Sequence, residues 1–386
     1  MADLSSLSLK GTLFDSSAPP AVRRPAFAVQ FGGGGGAGGG LSGLAGAAAS
    51  ALGMGGGGAD PWQETVIAIT VACGLAPAVN TADVWLAAGE RAPSVEVGDT
   101  GSISLGYEDS PPEPVFTGRV EAVRRDFQGR LRLTATDGGA ALSRLRVNKS
   151  YEGQAGGEIV RDLAGEAEVD TATVEPGSQF PFYVMDDRRS AYDQIASLAR
   201  KCGFLAYVTP AGELSFAPPS AGGQAIQTFT YGVDILALEV TEGEPPLGAV
   251  TIVGEGAAGS QGQDAWSWLI KDPSAVKGTA GSGGPARIVS DPSLRSAAAA
   301  QQAADGAAAA AAALATMGTL LAPGAPAVAV GLTIEIAGAP EDSLNGTYMV
   351  RAVRHRYDKD AGFTTLIQFS ATPSASGAAG LLGGLI

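Results

Sequence analysis

Very few side chains in this chain of 386 residues could do chemistry: one histidine, two cysteines and 39 carboxylates. His355 has no second histidine or cysteine at a ligand spacing, so neither a zinc set nor a base with its orienting partner can be assembled around it, and it reads as structural. Cys73 and Cys202 lack any C-x-x-C spacing. Each ends an apolar run beside a glycine, which predicts two buried free thiols rather than a disulfide. Asp186-Asp187-Arg188-Arg189 reads as a solvated turn ahead of a helix. No carboxylate pair can be singled out without geometry, and neither G-x-S-x-G nor H-E-x-x-H occurs. The glycines at 32–36 are not followed by Lys-Ser/Thr, so a mononucleotide loop is excluded in favour of a flexible insertion. The sequence therefore predicts no catalytic residue, no metal site and no cofactor.

Composition narrows the class. A formal charge of −14 argues against specific nucleic-acid binding, which needs clustered Lys and Arg to neutralise phosphates. Apolar residues make up 45% of the chain, enough for folded cores. No basic segment precedes an apolar one near Met1, and no run of about twenty strongly apolar residues is present, so the expectation is a protein made in the cytoplasm with no membrane span.

The elements are organised around a β-hairpin written twice. Val120–Thr136 opens V-E-A-V-R and closes L-T-A-T; Val350–Thr372 opens V-R-A-V-R and closes F-S-A-T. Both alternate with the period of a half-buried strand, and each turns at a glycine, Gly129 and Gly362. Upstream, Val97-Gly98 and Ile103–Gly106 resemble Val330-Gly331 and Ile334–Gly338, with Gly118 and Gly346 just before the hairpins. The two valines stand 230 residues apart, too far for a solenoid, so the reading is one β-domain present twice.

The predicted order is an arm over 1–25, a first β-domain over 26–149 carrying a Gly-rich loop at 32–59, a small α+β insert over 150–218, a second β-domain over 219–372 and a tail over 373–386. The first domain draws on strands at Phe27–Phe31, Glu64–Cys73, Val84–Leu86, Ser94–Val97 and Ser102–Tyr107. The insert has helices at Glu158–Ala164 and Ser190–Lys201, the second with Ser190 as N-cap, Asp193 three residues on and Gly203 at its end. A hairpin over Phe204–Phe216 follows. The second domain adds strands at Ile235–Glu239, Ala249–Val253 and Ala265–Ile270, and an Ala-rich helix over about 294–317 that Gly306 interrupts. The fold class is mainly β with an α+β insert.

The run V-F-T-G-R-V-E-A-V at 115–123, the segment C-G-F-L-A-Y-V-T-P-A-G-E-L-S-F at 202–216, and L-N-G-T-Y-M-V-R-A-V-R-H-R-Y-D at 344–358 with G-F-T-T at 362–365 resemble the baseplate hub proteins of phage tails. The likeness is to the late control gene D family and to the hub part of VgrG, and it spans roughly 95–372. It implies two tail-tube-like β-domains per chain and a homotrimeric ring joining a sixfold tail tube to a threefold spike. The implied partners are the tube protein, a spike protein carried on another chain, and tape measure or cargo in the lumen. The implied location is a virion tail or a contractile injection particle. A tail-associated cell-wall hydrolase is the competing reading, and it would need a carboxylate pair in a cleft. A sugar-binding β-protein ranks below it, because only 6% of the residues are aromatic.

Overall fold

The computed structural model describes residues 23–32, 60–89, 91–220, 224–257, 269–270 and 276–373. The arm up to residue 22, the loop over 33–59, most of the strand expected at Ala265–Ile270 and the tail beyond 373 lie outside the described residues.

The first β-unit consists of β1 (Pro25–Phe31), β2 (Val66–Gly74), β3 (Thr81–Leu86), β4 (Thr100–Tyr107), β5 (Glu113–Arg125) and β6 (Leu131–Thr136). Helix α1 (Pro61–Thr65) leads into β2; Asp60 caps it, accepting the Trp62 N–H at 3.0 Å, and Pro61 sits where its missing N–H costs nothing. The sequence reading ran this turn into the strand. Ser94–Val97 is not a strand either. The Asp99 carboxylate accepts the Glu96 N–H at 2.9 Å and closes a turn, and Gly98 completes it at φ +103°. Side chains alternate along β1, with Phe27, Val29 and Phe31 inward on a core that includes Ile69, Val71, Ile103 and Leu133.

The α+β insert follows α2 (Gly138–Arg144): β7 (Lys149–Ala155), α3 (Gly156–Glu166), β8 (Thr171–Val174), β9 (Gln179–Met185), α4 (Ala191–Cys202), β10 (Leu205–Val208) and β11 (Leu214–Ala217). In α4 the Ser190 hydroxyl accepts the Asp193 N–H at 3.0 Å, the Asp193 carboxylate answers to the Ser190 N–H, and Gly203 closes the helix in the left-handed region at φ +68°.

The second β-unit contains β12 (Gln227–Thr230), β13 (Ala237–Glu242), β14 (Ala249–Val253), β15 (Gly256–Ala257), β16 (Leu269–Ile270), β17 (Lys277–Gly281) and β18 (Ala286–Ser290). Helix α5 (Ala297–Ala313) follows, then β19 (Thr316–Pro323), β20 (Thr333–Ala337), β21 (Gly346–Asp358) and β22 (Gly362–Ala371). The Ala-rich helix is shorter than the 294–317 expected. Ser296 caps its start by accepting the Ala299 N–H at 3.1 Å, and from Met317 the chain is held in a ladder against β22. Alanine tolerates either state, and the sheet partner decides.

Strand order repeats. The first unit runs β1-β4-β5-β6-β3-β2, and the second runs β12-β20-β21-β22-β19-β13. The hairpins match in detail: each has its bulge just after the marker valine, between Val120 and Ala122 and between Val350 and Ala352. Val120 exchanges backbone hydrogen bonds with Gly98 and Asp99, as Val350 does with Gly331 and Leu332. Both glycines have positive φ, +103° and +83°. Counted from these valines, Gly118 and Gly346 are not equivalent. The outermost strand also differs, since β1 is antiparallel to β4 whereas β12 is parallel to β20.

A second grouping cuts across the expected boundaries. Strand β14 pairs with β17 and β18 in a separate small sheet. Val250 and Ile252 of that sheet, with Leu294, Ala299, Ala303 and Ala304, share one core with Ile159, Leu163, Phe180, Tyr192 and Leu198 of the insert. The Ala-rich helix is thus part of the middle layer rather than of the second β-core.

Candidate functional site

The feature on which function can be built is the junction between the two β-units. Strand β21 is 13 residues long and serves two neighbours along one edge. Its first part, Gly346–Met349, pairs with β20, while its last part, Ala352–Asp358, pairs antiparallel with Gly74–Ala68 of β2. The two units therefore share one continuous sheet. Side chains follow the backbone across the seam: Tyr357 and Phe363, from the second unit, are buried in the first unit's core. Tyr357 packs against Phe27 with ring centroids 4.8 Å apart and planes tilted by 56°, an arrangement worth roughly 1 kcal/mol beyond area burial.

The β10–β11 hairpin wedges into this junction. The Ala76 N–H donates to the Ala206 carbonyl at 2.8 Å, and Asn80 Nδ2 donates to the Val208 carbonyl at 3.1 Å. On the other side Tyr207 fills the space over Gly331, where a Cβ would lie 2.7 Å from its ring. The cavity left between Cys73, Tyr207, Pro210, Val328, Val353 and His355 measures about 10 Å³, room for one water at most.

His355 sits in this seam as a structural side chain. It is 2% exposed. Thr365 Oγ1 accepts the Ala325 N–H at 2.9 Å and lies 3.0 Å from His355 Nδ1, while the imidazole also bonds the Val328 backbone. That network assigns Nδ1 as acceptor of the threonine hydroxyl and Nε2–H as donor to the Val328 carbonyl. Burial pushes the imidazole down to about 4, against the weaker upward pull of the Val328 bond, so it is neutral.

Both cysteines are free thiols. Burial, reinforced by nearby Asp137, pushes Cys73 up to about 12, and burial also raises Cys202. Neither is a nucleophile near neutral pH. Among the described residues no group of three or more His, Cys, Asp or Glu side chains could hold a metal ion.

Asp186, Arg188 and Arg189 line an open groove of about 550 Å³ with Tyr183, Lys201 and Asp291. The groove's carboxylates are in the wrong state for acid catalysis. The hydrogen bond from Arg188 holds Asp186 below the usual range. Burial pushes Asp291 up, but the charge and hydrogen bond of Lys201 outweigh it and bring the carboxyl down. A glycosidase acid needs the opposite shift. Burial raises Asp137 instead, to about 7. It is 5% exposed and caps α2 by accepting the Gly139 N–H at 3.0 Å, so it faces no cleft.

With this geometry in hand, solved structures resolve the fold. The chain superposes with a TM-score of 0.61 on the 43 kDa tail protein of prophage MuSo2 from Shewanella oneidensis, at 12% identity, covering 90% of this chain and 99% of that one. The tail protein from Neisseria meningitidis MC58 gives the same TM-score and identity, covering 90% of this chain and 96% of its own. The fold is that of phage tail proteins. A type VI secretion system component from Escherichia coli, described as structurally similar to T4 tail proteins gp27 and gp5, follows at TM-score 0.54 and 11% identity, over 81% of this chain and 74% of that one. No family model and no curated protein matches the sequence. At these identities the likeness is one of fold, and it agrees with the hub resemblance read from the hairpins. Among the described residues no helix of this tail-protein fold is long and apolar enough to cross a membrane.

Sequence reasoning missed the shared strand. Nothing local in Ala352–Asp358 says which edge it will meet, and the available signal was the aromatic Tyr357 near a hairpin tip.

Proposed function

We propose that this chain is the baseplate hub of a phage tail or of a related contractile injection system. Three copies form a closed ring in which first and second β-units alternate, giving six similar units toward the tail tube and three identical chains toward a spike. The observation that carries this reading is the repeated strand order within one chain, with both copies fused into one sheet through β2 and β21. A heterologous contact of this kind closes when the rotation permits. The functional units are 26–149, 150–218 and 219–372, with β14, β17, β18 and α5 packed on the middle unit. Tube protein, spike protein and lumen cargo or tape measure are the partners, and the assembled particle is the location. The acidic excess faces the lumen in part, where it repels nucleic acid and lets cargo slide.

The test is the mass of the assembled species, alone and with a trimeric spike protein added, together with a projection image. A three-chain ring is expected; a stable twofold dimer or a basic channel overturns the reading.

A further inference from the structure

The ladder carries the equivalence of the two copies residue by residue. With Val120 set on Val350, the residues beyond the bulges align so that Val123 corresponds to Val353 and Arg125 to His355; β5 ends there and turns through Phe127, whereas β21 continues through Tyr357. Across the sheet, Thr81 pairs with Thr136 as Met317 pairs with Ser370, which makes β3 the counterpart of β19. Ala72 of β2 then corresponds to Thr241 of β13, and Ile69 to Leu238.

Within one chain the edge of β2 is joined to the end of β21. The corresponding edges in the other copies are open. Strand β13 pairs only with β19, and β5 beyond its bulge pairs only with β6, among the described residues. The side chains record the difference. Tyr357 is 7% exposed because the chain's own first unit covers it, whereas Phe127, in the turn that follows β5, is 96% exposed. A phenylalanine bared to that degree beside an unpaired strand edge is a liability unless a partner takes it.

We infer that β13 of one chain pairs antiparallel with the tip of β5 in a second copy, repeating the β2–β21 seam between chains. Transferring the observed register, in which Val71 faces His355, places Val240 opposite Arg125 and Thr241 opposite Arg124, with Leu238 running on toward the turn that holds Phe127. Charge fits the same register. Exposed Glu239 and Glu242 on β13 meet exposed Arg124 and Arg125 on β5. In this register Glu239 is the diagonal neighbour of Arg124 and Glu242 that of Arg125, within reach of long side chains. The residue directly opposite Glu239 is Asp126, whose carboxylate is already engaged by Arg130 at 2.8 Å. Each chain offers both edges, so the contact is heterologous, and its closure after three copies rests on the hub reading above.

Cysteine pairing of the full chain tests this. Arg125→Cys with Val240→Cys should oxidise to covalent species ending at three chains, far more efficiently than either single variant or Arg125→Cys with Thr241→Cys, which lies on the other sheet face. A three-chain species by mass without the in-register cross-link overturns the edge assignment and leaves the ring. In-register cross-links running past three chains keep the edge and overturn the threefold ring. A protein that stays single-chained at every concentration, with no cross-link, overturns both. The charge test is independent: Arg124→Glu with Arg125→Glu should weaken association about tenfold or more, and Glu239→Lys with Glu242→Lys should restore it. Unchanged association overturns the register. All four charged positions are exposed, so circular dichroism should show an intact fold.

Discussion

Gly203 and Gly306 face each other with no room for a side chain between them: a Cβ built on Gly306 would lie 2.5 Å from the Gly203 Cα. Gly203 ends α4, and Gly306 lies inside α5 where the two helices meet. Gly306, which reads in the sequence as an interruption of a poly-alanine helix, is the reason that helix can dock.

Helix propensity and packing therefore make opposite predictions for Gly306→Ala. Propensity alone favours alanine by about 1 kcal/mol. The backbone contact has to open, at a cost of about 1–3 kcal/mol. We expect net destabilisation, read as a lowered urea midpoint. Gly165→Ala in α3, where a Cβ meets nothing within 4 Å, should instead hold or gain up to about 1 kcal/mol. A stabilised Gly306→Ala protein would contradict the docking.

His355 and Asp137 should give opposite slopes of stability against pH. The folded pKa of His355 is depressed from 6.5 to about 4, so the unfolded chain binds the extra proton and stability is lost as pH falls through this window, by about 3 kcal/mol. The folded pKa of Asp137 is raised from 3.8 to about 7, so its contribution is full at low pH and is lost as pH rises through the same range. The two largely offset each other in the wild type. Urea midpoints between pH 4 and 7 should slope upward with pH in Asp137→Asn, which keeps the cap, and downward in His355→Gln. Parallel slopes in the two variants would show that another group dominates.

Lys201 and Asp291 form an ion pair that ties α4 to the turn ahead of α5, and their side chains are only 15% and 21% exposed. Lys201→Ala leaves a largely buried carboxylate with only Ser293 as hydrogen-bond donor, and should cost about 3 kcal/mol. Replacing both partners by apolar residues should cost less than the single change. Chemical denaturation of the four members of the cycle gives the coupling.

What was legible in the sequence, and what was not, follows the range of the forces involved. The Val120 and Val350 hairpins were readable because alternation and a turn glycine are local, and the bulges fall where the two patterns match. Ser190, Asp193 and Gly203 bound α4 for the same reason. Allegiance was not readable: Ala299 and Ala303 present methyl groups that suit any core, and only the assembled molecule shows them against Leu198. The Ser94–Val97 turn was missed because the Asp99 carboxylate, not the residues themselves, sets its shape. At the junction, His355 was read as structural, yet its threonine partner lies ten residues away across a hairpin.

The seam of seven residue pairs between Ala68–Gly74 and Ala352–Asp358 also has a mechanical meaning. A linker between two domains lets each be tugged separately, whereas an antiparallel ladder pulled along its strands resists as a block, because its hydrogen bonds must break together. A force applied to one β-unit would pass to the other as shear across that ladder. The chain would then behave under load as one rigid block rather than as two beads on a string.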